Sequence, residues 1–234
     1  MQNIPRPPLT KPGGPAPWSY LPDTDRRLTL TQMRSRLIAA PPPRSAEFDV
    51  EGSRSAAVLV ALYEAGGEPH VILTKRPETM PSHQGEIAFP GGKRDPGDAS
   101  LVAAALREAH EEVGLEPHHV EVIAELDTIA TVASAFTITP FVGLLAAPPV
   151  LVPEPWEVVA AFGAPVSDLL GPDAYREEMW HLWGDYRSMT FFELPGETVW
   201  GATARILTRL LTLVTNPVPN EGAGPEPAPN RPLG

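Results

Sequence analysis

A chain of 234 residues, 42% hydrophobic and 20% charged, can bury a full core and suits one domain with extensions. The lack of cysteine excludes a disulfide framework, a thiolate metal site and a thiol nucleophile. A formal net charge of −11 argues against a broad nucleic-acid surface, but not against an anionic substrate, because a bound cation can reverse the local sign.

Thirty prolines crowd the two ends and the loops, against the usual ~5% of residues. Seven of them lie between Pro5 and Pro22, so residues 1–27 are expected to be an extended arm. Leu30, Met33 and Leu37 stand at helical spacing, which predicts a helix over 29–40 that Pro41-Pro42-Pro43 stops. The core is expected to start near Ser55. Ala57–Tyr63 and His70–Arg76 are strand-length apolar runs around Gly66-Gly67, predicting a hairpin. Glu86–Phe89 predicts a further short strand before a glycine turn at Gly91-Gly92.

The glycine turn is expected to feed a helix. Val102, Leu106, Ala109 and Val113 would form its buried stripe, with Gly114 as a left-handed cap. Strands are expected at 120–126 and 137–145, Pro140 marking an edge or bulge in the second. A proline-rich connection at 148–155 and a helical turn at 166–170 follow. Two aromatic strands near Trp180–Leu182 and Met189–Glu193 precede a long apolar helix over 199–213. Residues 216–234, rich in proline and glycine, are expected to be a disordered tail. The domain itself would then occupy 28–215. Strands mixed with a few helices give an α+β class with a mixed sheet. No apolar run approaches the ~18 residues of a membrane span and no signal-peptide pattern is seen, so the expectation is a cytoplasmic protein off the membrane.

The chemistry concentrates in the predicted helix after the glycines. Glu108, Glu111 and Glu112 fall at i, i+3 and i+4 and are neighbours on its surface. Three like charges so close repel one another unless a hard divalent cation such as Mg²⁺, which favours carboxylate oxygens and water, lies over them. Arg107 is read as the partner that fixes one of these carboxylates. Asp98 serves either as a helix cap or in the site. Arg76, Lys93 and Arg94 either solubilise loops or contact phosphate. Gly92 lets the backbone approach a phosphate or metal without a side-chain clash. His83 and His110 are read as structural or surface groups.

Gly92 through Leu115 resembles the Nudix box, G-x5-E-x7-R-E-U-x-E-E-x-G-U with U aliphatic. Arg107-Glu108-Ala109-His110-Glu111-Glu112-Val113-Gly114-Leu115 matches its second half position by position. In the first half Asp98 replaces glutamate, and eight residues separate it from Arg107 instead of seven. That departure, with Ile72-Leu73-Thr74-Lys75-Arg76, His83-x-Gly85-x-x-x-Phe89-Pro90-Gly91-Gly92 and Trp200–Leu207, resembles the coenzyme A diphosphatase branch. Pro81 stands where that branch often has an arginine. The likeness covers roughly residues 30–215 and implies an α/β/α sandwich with a mixed sheet.

It also implies Mg²⁺- or Mn²⁺-dependent hydrolysis of a nucleoside diphosphate linked to another group. Glu108 and Glu112 would be metal ligands, and Glu111 a third ligand or the group orienting the attacking water. A later loop often adds a carboxylate in this fold, for which Glu157 is the candidate. The partner implied is a small nucleotide substrate. The alternatives are another nucleoside diphosphate derivative, such as ADP-ribose, a dinucleoside polyphosphate or an oxidised nucleotide, and a catalytically silent nucleotide-binding module. The oligomeric state is left open, a homodimer included.

Overall fold

The computed structural model describes residues 4–46, 52–79, 84–131 and 135–216. His83 and Pro81, and the tail residues 217–234, lie outside them. In chain order the elements are β1 (Thr10–Pro12), α1 (Leu30–Ile38), β2 (Arg54–Ala65), β3 (Glu68–Lys75), β4 (Ile87–Ala88) and β5 (Gly91–Lys93). Then come α2 (Leu101–Val113), β6 (Val120–Glu125), β7 (Ile129–Thr131), β8 (Phe136–Leu145), β9 (Ala160–Pro165) and α3 (Val166–Leu169). β10 (Tyr175–Leu182), β11 (Asp185–Leu194), β12 (Glu197–Trp200) and α4 (Gly201–Thr215) complete the described chain.

β2 explains the layering. Its run Ala57–Leu62 is apolar at every position because helices cover both faces of the strand. Side chains alternate across the sheet. Ala57, Leu59 and Ala61 therefore pack with Ile72 of β3 against Ala104, Ala105, Ala109 and Val113 of α2. Val60 and Leu62 face the other way, with Met33 and Leu37 of α1 and Leu207, Leu210, Leu211 and Val214 of α4. The result is an α/β/α sandwich around a mixed sheet, with β2 parallel to β8 and antiparallel to β3 and β5. Among the described residues this sheet has eight strands, and a second sheet runs β1-β10-β11-β12.

The expected 29–40 helix is present, opened by a capping box in which Thr29 and Gln32 exchange hydrogen bonds. The hairpin of β2 and β3 is present too. Pro140 sits inside the sheet, between β2 and the β6/β7 side, and not at an edge. Its carbonyl accepts the Leu126 amide where β6 has ended and β7 has not begun. A proline amide would have faced that same break, so no ladder bond is lost.

The N-terminal arm is extended through β1, then folds through a turn and a 3₁₀ helix at Asp23–Arg26, and it is laid against the body. β1 pairs with β10, and Trp18 is buried, stacked on Phe192 at 6.1 Å and edge-on to Tyr175 at 5.5 Å. β7, β9 and β12 were not anticipated from local sequence, and the last helix begins at Gly201, after β12 has taken Val199 and Trp200. No described helix is long and apolar enough to cross a membrane.

Candidate active site

α2 is started by Ser100, whose hydroxyl accepts the Ala103 amide at 3.1 Å. Asp98 is therefore not the cap. Its carboxylate takes a two-point contact from Arg107 (Nε to Oδ1 3.0 Å, Nη2 to Oδ2 3.1 Å) and accepts the Asp95 amide at 2.8 Å. The Arg107 guanidinium holds it below the usual carboxylate range. The chain did contain the cap signal, since Ser100 immediately precedes the unbroken Leu101–Val113 run.

The buried side of α2 is Ala104, Ala105, Ala109 and Val113, while Val102 and Leu106 of the expected stripe are only partly buried. Alanines bring the helix close to the sheet, and the acidic face is turned partly under the chain as a consequence. Glu112 is 4% exposed, the Glu108 side chain 14% and that of Glu111 55%. Residues at i and i+4 lie nearly in line on a helix, whereas i+3 is displaced to one side. Glu108 and Glu112 point inward together, and Glu111 stays out, its carboxylate on Arg107 Nη1 at 2.7 Å. Arg107 Nη2 also donates to Glu108 at 3.0 Å and to the Lys93 carbonyl at 3.3 Å. Its donors thus serve the protein's own acceptors.

The expected glycine turn is β5, which pairs with Ala56–Val58 of β2. Gly91 has φ +153°, and a Cβ there would stand 2.4 Å from the Ala57 carbonyl oxygen. A Cβ on Gly92 would lie 2.5 Å from the Glu108 carboxylate. Glycine is needed because the strand is wedged between β2 and the acidic helix. The Gly91 amide donates to Glu112 Oε2 at 3.2 Å.

The third carboxylate comes from the proline-rich connection. Its Val152 and Glu154 amides donate to the Val113 and Glu112 carbonyls, both at 2.9 Å, capping the end of α2. This anchoring brings Glu157 to Glu108 and Glu112, with one oxygen of each residue within 4.8 Å of the others. Burial, aided by the nearby Glu108 and Glu157 and opposed by the Gly91 amide, pushes the Glu112 carboxyl up to about 7. Burial also raises Glu108, against the pull of Arg107. Partly buried carboxylates that repel one another and offer only hard oxygen donors fit a divalent cation.

Arg76 follows β3, its amide on the Glu86 carbonyl at 3.0 Å, and it is the cation whose field opposes the rise at Glu112. Among the described residues its buried Nε has no hydrogen-bond partner. Lys75 beside it is paired with Glu197. Lys93 is exposed, 3.5 Å from Asp95, and Arg94 donates to the Asp98 carbonyl at 3.2 Å. Neither is brought to the carboxylate cluster by these contacts. His110 lies 3.7 Å from Glu116, on the solvent side.

Residues 53–183 match the NUDIX domain model. The chain is 39% identical over 195 residues to "Uncharacterized Nudix hydrolase NudL" of Enterobacter sp. (strain 638), covering 78% of this chain and 93% of that one. It is 38% identical over 170 residues to "Nudix hydrolase 22, chloroplastic" of Arabidopsis thaliana, covering 69% of this chain and 55% of that protein. Among solved structures, the Nudix hydrolase RenU of M. smegmatis is 27% identical with a TM-score of 0.42, over 48% of this chain and 70% of that one. The stretch matched by the family model holds the larger sheet, α2 and the carboxylate cluster, and with the NudL relative it shows that the chain belongs to the Nudix hydrolase family.

Proposed function

We propose that this Nudix hydrolase cleaves the diphosphate bond of coenzyme A or its thioesters, giving 3′,5′-ADP and (acyl-)4′-phosphopantetheine. Glu108, Glu112 and Glu157 would hold Mg²⁺ or Mn²⁺. When bound, such a cation screens the phosphate charge and lowers the pKa of water. The observation that carries the reading is the meeting of the two segments that resemble the coenzyme A branch. Thr74 and Lys75 of β3 pair with Ala88 and Ile87 of β4, and the chain runs on through Phe89 to Gly91, whose amide bonds Glu112.

Arg107 acts as a positioning residue. It holds Glu108 and Glu111 in fixed orientations while Asp98 fixes the guanidinium from the other side. Glu111 is assigned to this brace and to its solvent edge, where a carboxylate can orient water, instead of a direct ligand. Arg76, whose Nε has no partner among the described residues, would offer a cation to a phosphate oxygen. Gly92 keeps the space before Glu108 clear.

The test is incubation with coenzyme A and Mn²⁺, with products identified by mass. The expected products are 3′,5′-ADP and 4′-phosphopantetheine. Absence of 3′,5′-ADP under conditions where ADP-ribose or a dinucleoside polyphosphate is cleaved would overturn the substrate assignment and leave the hydrolase intact.

A further inference from the structure

Val150, Val152, Trp156 and Val159 are four of the nine exposed large apolar side chains among the described residues. All four fall in the ten-residue segment that also carries Glu157. An apolar surface clustered on one loop beside a charged cluster is not the scattered exposure that any soluble surface tolerates. Trp156 is 81% exposed, yet its backbone is fixed on both sides. Glu154 is tied to α2, the Glu157 and Val158 amides return to the Glu154 carbonyl at 3.0 and 2.9 Å, and the Val159 amide bonds the Lys75 carbonyl at 2.9 Å. These bonds make one helical turn, in which successive side chains are offset by about 100°. Val158 enters the core beneath α2, Glu157 reaches the carboxylates, and Trp156, one residue earlier, stands out in solvent.

We infer that Trp156 is the platform on which the nucleobase of the substrate stacks. A base has a flat π-face and stands a few bonds from the phosphates of a nucleotide, so phosphate held through a cation on the Glu157 cluster would leave the base within reach of the neighbouring side chain. Indole offers a wide apolar face with few rotamers to freeze, and the anchored turn has little backbone left to order on binding. Stacking tolerates any base, so Trp156 selects nucleotides over base-free phosphates and does not read base identity. This assignment rests on the proposed reading only as far as a nucleoside diphosphate substrate, and coenzyme A in particular is not needed.

The experiment is calorimetric titration of the intact protein, W156A and W156F in Mg²⁺. The two probes are AMP and ribose 5-phosphate, which share the 5′-phosphate and differ in the base. Wild-type protein is expected to prefer AMP by about tenfold or more, the range that base–aromatic stacking gives. W156A should bring the two probes within about twofold by weakening AMP alone, and W156F should keep most of the preference. A wild-type protein that binds AMP no better than ribose 5-phosphate, or W156A that keeps the preference, overturns the assignment. So does a dimer that dissociates in W156A with the preference unchanged, which would give the patch to a second copy. Should coenzyme A not be cleaved, the AMP preference still stands or falls separately.

Discussion

Glu112→Gln separates the two demands placed on α2, because the same carboxylate that suits a cation opposes folding without one. In the metal-free protein its carboxyl is pushed from 4.5 to about 7 by burial. Between those values the native state keeps a proton that the unfolded chain has lost, so stability falls as pH rises through that window and levels off above it. A rise of this size corresponds to about 3 kcal/mol at pH 8.

Glutamine keeps an acceptor for the Gly91 amide and removes the charge, at the cost of about 1 kcal/mol for an amide group with poorer partners. In EDTA at pH 8 the variant should therefore be more stable than wild type by about 2 kcal/mol, raising Tm by roughly 4–8 °C for a domain of this size. At pH 4.5, where wild-type Glu112 is protonated in the native state and already half protonated in the unfolded chain, the advantage should disappear or reverse. Saturating Mg²⁺ should stabilise wild type and leave the variant nearly unmoved, since ligation of the native state alone adds stability by mass action. Thermal unfolding at both pH values, with EDTA or Mg²⁺, measures all four conditions. A variant less stable than wild type at pH 8 in EDTA, or equally shifted at both pH values, would refute the account of Glu112.

Two further substitutions probe the parts that hold this residue and its neighbours. Gly92→Ala would place a Cβ 2.5 Å from the Glu108 carboxylate and displace it. The expected result is a fall in kcat of about a hundredfold or more with the circular dichroism spectrum retained, since misplacing a reacting group by about 1 Å costs that much. Trp18→Ala removes a fully buried ring that joins the arm to Tyr175 and Phe192. It should destabilise the fold by about 3–5 kcal/mol and speed protease cleavage within the arm. An unchanged denaturation midpoint would show that the arm contributes nothing to the core.

The features legible in the sequence are those with local causes. The periodicity of α2, its Gly114 end (φ +71°) and the β2–β3 hairpin depend on residues a few positions apart. β9 and β12 read poorly because their strand character comes from pairing. Ala160–Pro165 contains a glycine and small side chains, and it becomes a strand only beside β3. The glycine pair read as a turn since nothing local reveals that Ala57 and Val58 lie against it. The Arg107-Glu108 and Glu111-Glu112 pairs were visible, but their division of labour came from the family resemblance and not from helical spacing. Which glutamate faces inward follows from how near α2 sits to the sheet, and the alanines that decide this form no motif. Glu157 carried the least signal alone, being one acid among 29 acidic residues whose position depends on a distant backbone contact.

That contact bears on how the site divides its tasks. The Val152 and Glu154 amides satisfy carbonyls that any helix end must leave open, so the 148–157 segment is held by backbone groups that no substitution other than proline removes. Glu157, the buried Val158 and the partly buried Leu151 are constrained by what they touch inward. The outward positions, Val150, Val152 and Trp156, can vary without disturbing Glu108, Glu112 or the brace of Asp98 and Arg107. A scaffold built this way can exchange the surface that meets the substrate while keeping the carboxylates that do the chemistry. Substitutions at Trp156 should accordingly alter the affinity for nucleotides, while those at Gly92 and Arg107 alter turnover.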